Sequence, residues 1–119
     1  MNMAAWLARA GRARADLPAL AREGTVVATY SRFAENAARL ASALRGPLGL
    51  APGDRVAIVA KNSPHYLEVL YAIWWAGLAA VPVNAKLHAA EIGWILENCG
   101  ARLVFAGSGL DAEVGAYAP

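Results

Sequence analysis

The chain has 119 residues, room for one ordinary domain and too few for two of typical size. Its hydrophobic content of 58% is above the usual range of roughly 45–50%, but alanine inflates it, so periodicity and punctuation carry the reading rather than helix propensity. The net charge is +2, with the basic excess gathered at Arg9, Arg12, Arg14 and Arg22 and no longer basic stripe, which argues against a nucleic-acid partner; the single cysteine, Cys99, excludes an internal disulfide.

The N-terminal segment has an acidic-poor, arginine-bearing composition shared with organellar transit peptides, yet it has almost no serine. Its apolar positions Trp6, Leu7 and Ala10 predict a short amphipathic first helix. No apolar segment of the signal-peptide kind follows Met1, so secretion is not expected. From Leu17 to Tyr30, "LPALAREGTVVATY" reads as a hairpin turning at "REG". Thr29 is placed to cap the next helix, on which Phe33, Ala37, Leu40, Ala41 and Leu44 recur at helical spacing. "GPLGLAPGD" stops that helix with glycine and proline.

After Asp54 the pattern alternates between short apolar runs and helices. Arg55–Ala60 reads as a buried strand, followed by a helix with Asn62 or Ser63 as cap and Pro64 in its first turn. Gly77 ends that helix, and "LAAVPVN" is a second strand. A further helix starts at His88 or Ala89, puts Ile92, Ile95, Leu96 and Cys99 on one face and ends at Gly100. Arg102–Ala106 is the third strand, and the chain closes on a loop or tail. Residues 54–106 therefore predict a βαβαβ unit with a parallel sheet and right-handed crossovers.

The charge-free stretch Val69–Asn84, with Trp74 and Trp75 inside it, raises the question of a membrane span. A spanning helix needs about 20 apolar residues. His65 and Glu68 interrupt the run at one end, and Gly77, Pro82 and Asn84 at the other. A helix covered on both sides in an α/β layer has the same all-round apolar character, so no span is expected.

The candidate chemical patterns are weak. Gly107 to Ala112 fits G-x-G-x-x-A after a strand, but it follows the third strand of the run and lacks the acidic residue expected about 20 positions on. Ser63 and His65 do not make a dyad by spacing alone; His88 and Glu91 have no second ligand pair. Asp54 and Glu68 have no identifiable acid–base partner, and "AKNSP" lacks the glycines of a phosphate-binding loop. No catalytic, cofactor-binding or metal residue is assigned from the residues themselves.

The ordered segments "TYSRFAENAARLASAL" and "GDRVAIVAKNSPHYLEVLYAIWWAGLAAVPVNAKLHAAEIGWILENCGARLVF" closely resemble the N-terminal part of adenylate-forming enzymes, the AMP-binding acyl-CoA synthetase family. The resemblance covers Leu17 to Phe105 and implies a parent enzyme that joins a carboxylic acid to ATP as an acyl-adenylate and then to coenzyme A, using Mg²⁺. The family's phosphate loop, nucleotide motifs, hinge and C-terminal lysine have no counterpart here, so no site residue is carried over and no cofactor is expected in this chain alone. "NAKLH" departs from the family's common wording, with Lys86 and His88 in place of arginine and a hydroxyl residue; Lys86 keeps the charge without the bidentate fork. Lys86 is expected to cap or to form a surface ion pair, with a coenzyme A- or substrate-facing role as the alternative.

The resulting expectation is an α/β fold: an N-terminal hairpin and helix over 17–53, the βαβαβ unit over 54–106 and a loop or tail over 107–119. Residues 1–119 would together be a partial N-terminal domain of an adenylate-forming ligase, with no second domain expected. The parent is expected to be cytoplasmic and of fatty-acid type; the isolated chain is expected to be inactive and to self-associate through apolar surface at Trp74, Trp75 or Trp94. The alternatives are a stand-alone, non-catalytic α/β binding or interaction module, or another adenylating relative acting on an aryl or amino acid.

Overall fold

The computed structural model describes residues 2–107. Helix α1 (Ala4–Ala13) turns Ala4, Leu7 and Ala10 inward. Trp6, predicted on that apolar face, is instead 51% exposed at its margin. The tight turn of the helix carries Trp6 past the buried stripe, where its ring meets Tyr30 edge-on at 6.0 Å between centroids. The Asn2 side-chain oxygen accepts from the Ala4 N–H at 2.9 Å, satisfying one of the first-turn donors.

Strands β1 (Pro18–Arg22) and β2 (Thr25–Thr29) form the predicted antiparallel hairpin. Glu23 and Gly24 both have positive φ, 51° and 81°, the combination that lets a two-residue turn follow the twist of its strands. The Thr29 hydroxyl accepts from the Arg32 N–H at 3.3 Å and opens helix α2 (Tyr30–Arg45). Phe33, Ala37, Ala41 and Leu44 are buried as predicted, whereas Leu40 is half-buried and Ala34 takes a core position. Ala34 is selected by close approach, since a Cβ on Gly11 of α1 would sit 2.7 Å from the Ala34 Cβ.

Strands β3 (Arg55–Val59), β4 (Ala79–Val83) and β5 (Leu103–Ala106) form a parallel sheet in the order β4-β3-β5. Pro82 is tolerated because β4 lies at an edge, where a missing N–H breaks no ladder on the open side. Central β3 is buried on both faces. Val56 and Ile58 join Ala41 and Leu44 of α2 and Ile73 of helix α3 (Pro64–Trp75). Ala57 and Val59 join Ile92 and Leu96 of helix α4 (Ala89–Cys99). The two helices thus cover opposite faces of the sheet.

A third cluster, with Leu7, Leu20, Ala28, Phe33 and Ala72, packs α1 and the hairpin onto α2 and α3. Helix α3 is apolar nearly all round because it meets two of these clusters, and Trp75 packs against both. No helix among the described residues is long and apolar enough to cross a membrane. Cys99 is half-buried at the end of α4 against the cluster of Ala57, Val59, Ile92 and Leu96, and Gly100 follows it at φ 66°, the left-handed geometry that closes the helix.

Candidate functional site

From β3 the chain crosses by α3 to β4 on one side, then by α4 on the opposite face to β5 on the other side. The connections leaving the carboxyl ends of β3 and of its neighbours therefore diverge, and divergence opens a crevice beyond the strand ends, the usual ligand position in open α/β sheets. Here that crevice is a cavity of about 790 Å³ reached by Ala60–Ser63 after β3, Ala85 after β4 and Gly107 after β5. Gly107 permits the close approach of β5's end: its N–H donates to the Val59 carbonyl at 2.9 Å, and an added Cβ would lie 3.0 Å from the Ala60 Cβ.

The local sequence explains the shape. Ser63 accepts from the Tyr66 N–H at 3.2 Å, so Ser63 rather than Asn62 caps α3. Asn62 is left beside the crevice, and Tyr66 projects from the first turn into the same wall. Asn62 and Tyr66 also border a neighbouring cavity of about 360 Å³ that contains Asn84 and Lys86, and a third of about 660 Å³ against the hairpin. The Asn84 side-chain oxygen accepts from the Lys86 N–H at 2.9 Å, fixing the bend after β4.

Arg22 and Lys61 line the main crevice and Lys86 the adjoining cavity, with no carboxylate on either lining among the described residues, while Glu23 borders the third cavity. Such a surface suits an anionic ligand group. The expected ion pair or capping bond of the Lys86 side chain is not present among the described residues; the side chain is exposed at the crevice rim, and only its backbone N–H is engaged. His88 starts α4 through its carbonyl, which accepts from the Ile92 N–H at 3.0 Å, and its side chain makes no capping bond.

Glu68, without an identifiable partner in the sequence, has two in the fold. Its Oε2 accepts from Asn36 Nδ2 at 2.5 Å, and its Oε1 lies 3.3 Å from His65 Nδ1. The carboxylate is mostly buried between α2 and α3 and ties the helices together, a structural role away from the crevice floor. Asp54 is engaged locally, accepting from the Ala51 N–H at 2.9 Å. Ser63 and His65 do not face each other as a nucleophile and base, because the Ser63 hydroxyl caps the helix and His65 turns to Glu68.

Among the described residues no group of three or more His, Cys, Asp or Glu side chains could hold a metal ion, and His88 with Glu91 does not form one. No glycine-rich turn precedes α2, α3 or α4. Of the G-x-G-x-x-A pattern only Gly107 lies within the described residues. Sequence reasoning missed Tyr66 and Arg22 as crevice residues; the proline-marked helix start next to "KNS" was the available signal for Tyr66, and none existed for Arg22, which arrives from the hairpin.

Residues 7–117 match the family described as AMP-binding enzyme. The chain is 44% identical over 88 residues to a fatty acid–[acyl-carrier-protein] ligase of Streptomyces coeruleorubidus, covering 74% of this chain and 17% of that protein. It is 37% identical over 103 residues to a feruloyl-CoA synthase of an Amycolatopsis species, covering 87% of this chain and 21% of that protein. The crystal structure of the N-terminal domain of FACL13 from Mycobacterium tuberculosis superposes with a TM-score of 0.89 at 32% identity, over 98% of this chain and 30% of that one. The chain thus spans about a fifth of the length of these curated relatives. With the family match running over nearly its whole length and a solved N-terminal domain superposing on almost all of it, this chain belongs to the AMP-binding enzyme family.

Proposed function

We propose that this chain is the N-terminal part of an ATP-dependent acid–thiol ligase, which converts a carboxylic acid and ATP to an acyl-adenylate and pyrophosphate, then passes the acyl group to coenzyme A with release of AMP. The observation that carries this reading is the family match over residues 7–117. The cationic crevice at the sheet's carboxyl edge supports it, since both nucleotide-bearing substrates are polyanions. No group of three or more His, Cys, Asp or Glu among the described residues could hold a metal ion, so in this reading other parts of the enzyme hold Mg²⁺. A cytoplasmic setting fits a reaction that draws on ATP and coenzyme A, and one half-buried thiol does not conflict with it.

A fatty acid is the proposed substrate, favoured by the 44% identity to a fatty-acid ligase over the 37% identity to a feruloyl-CoA synthase. The name of the first relative also favours a second reading of the acceptor, in which an acyl-carrier protein supplies the thiol.

The test is acid-dependent exchange of labelled pyrophosphate into ATP by the natural gene product that carries this chain, followed by thioester formation with coenzyme A or with pantetheinylated carrier protein. Fatty acids are expected to give the fastest exchange, and the isolated 119-residue chain none. Faster exchange with aryl acids overturns the substrate class; absence of exchange with every acid returns the protein to the binding-module reading. The isolated chain is also expected to self-associate through Trp94, which is 65% exposed on α4. A single monomeric boundary in sedimentation velocity at high protein concentration would contradict that.

A further inference from the structure

We propose that the exposed face of α4 docks onto the exposed face of α1 in a second copy of this chain. Helix α1 packs through Leu7 onto α2 and α3, which cover one face of the parallel sheet. Helix α4 covers the opposite face through Ile92 and Leu96. The outer sides of α1 and α4 therefore point away from each other, and one molecule cannot bring them together. On α1, Ala5, Arg9 and Ala13 recur at four-residue spacing along one exposed line, with Trp6 and Arg12 three residues to either side of Arg9. On α4, Ala90, Trp94 and Asn98 form the matching exposed line, with Glu91 and Glu97 three residues to either side of Trp94.

The two faces complement each other in charge and in relief. Helix α4 carries Glu91 and Glu97 and no basic residue, whereas α1 carries Arg9 and Arg12 and no acidic one. None of the four forms an ion pair among the described residues. Trp94 is 65% exposed, a large apolar surface without a cover. The small side chains of Ala5 and Ala13 leave room on α1 for that indole beside the Arg9 guanidinium, where cation–π attraction adds to apolar burial. Trp6, packed edge-on against Tyr30, walls one side of this seat. Antiparallel self-pairing of α4 about Trp94 is disfavoured, because it sets Glu91 of one copy beside Glu97 of the other. The contact joins unlike surfaces on opposite sides of the molecule, so it repeats from copy to copy and builds open chains rather than a closed dimer. Two short helices bury little area, which makes the contact transient and sensitive to salt. It specifies what meets Trp94 and is independent of the catalytic reading.

Sedimentation velocity of the 119-residue chain over a range of concentrations tests the proposal. The weight-average mass is expected to climb with concentration past that of a dimer, and high salt should suppress the climb. A chain with α1 reversed in charge, Arg9→Glu with Arg12→Glu, should associate on the order of tenfold more weakly. The α4 counterpart, Glu91→Lys with Glu97→Lys, should lose about as much. All four positions are exposed, so circular dichroism should show both variants folded. Mixed together, the two variants regain opposite charges at every contact and should associate as the natural chain does. Trp94→Ala should weaken association roughly tenfold. A monomer at every concentration, a plateau at the dimer mass, or a mixture as dissociated as its components would each overturn the proposal. Unchanged association of the chain reversed on α1 would also overturn it, by putting a different surface against Trp94.

Discussion

Replacing Ile58 by alanine is expected to remove about 2–5 kcal/mol of folding stability. Ile58 is 1% exposed in the central strand β3, opposite Pro82 of β4 and Phe105 of β5. Its side chain belongs to the cluster that joins α2 and α3 to the sheet, with Leu44 and Ile73 as fully covered neighbours. Three carbon groups leave the core, at roughly 0.8 kcal/mol each for transfer alone. The rest of the loss comes from the void, because the flanking backbone is fixed by hydrogen bonding to strands on both sides and collapses poorly. Against a total stability of about 5–15 kcal/mol for a domain, this is a large fraction. Urea unfolding followed by circular dichroism should show a lower midpoint with an unchanged slope. Val27→Ala, at a position 50% exposed on the hairpin, should change stability by less than about 0.5 kcal/mol. Equal effects at the two positions would disprove the central placement of β3.

Gly100→Ala should destabilise by about 1–2 kcal/mol from its backbone alone. Gly100 ends α4 at φ 66°, and a Cβ there would lie 2.9 Å from an Arg55 guanidinium nitrogen. The Arg55 Nε donates to the Cys99 carbonyl, so the guanidinium that would be displaced is also the group that satisfies an orphan helix-end acceptor. Alanine therefore disturbs both the turn and its cap. Asparagine, which tolerates left-handed backbone better, should relieve part of the backbone cost but not the crowding. A double-mutant cycle with Arg55→Ala separates the two: in that background the cost of Gly100→Ala should fall to the backbone share. An identical cost in both backgrounds would show that Arg55 and residue 100 are not coupled.

The local elements were legible because each carries its signal within a few residues. Thr29, Ser63 with Pro64, Gly77 and Gly100 stand where helix ends require a side-chain acceptor, a fixed φ or a left-handed turn, and the structure uses them so. The β-branched run of β3 bounded by turn residues marked a strand buried on both faces. Trp6 was misread because periodicity locates a stripe only to within one neighbouring position, and an aromatic ring can remain at its margin. The Glu68 partnership was invisible because Asn36 is 32 residues away on another helix.

By itself, then, the sequence determined the elements, their order, the parallel sheet and the family, all of which depend on local periodicity, helix-end chemistry and ordered wording. Only the tertiary structure decided the strand order β4-β3-β5 and the opposite faces taken by α3 and α4. It also gathered Arg22, Lys61, His65 and Lys86 around one end of the sheet, while Arg9 and Arg12 of α1 form no ion pair among the described residues. The physical reason is that these juxtapositions follow from how covered faces pack in three dimensions, and residues far apart in the chain leave no periodic trace of meeting.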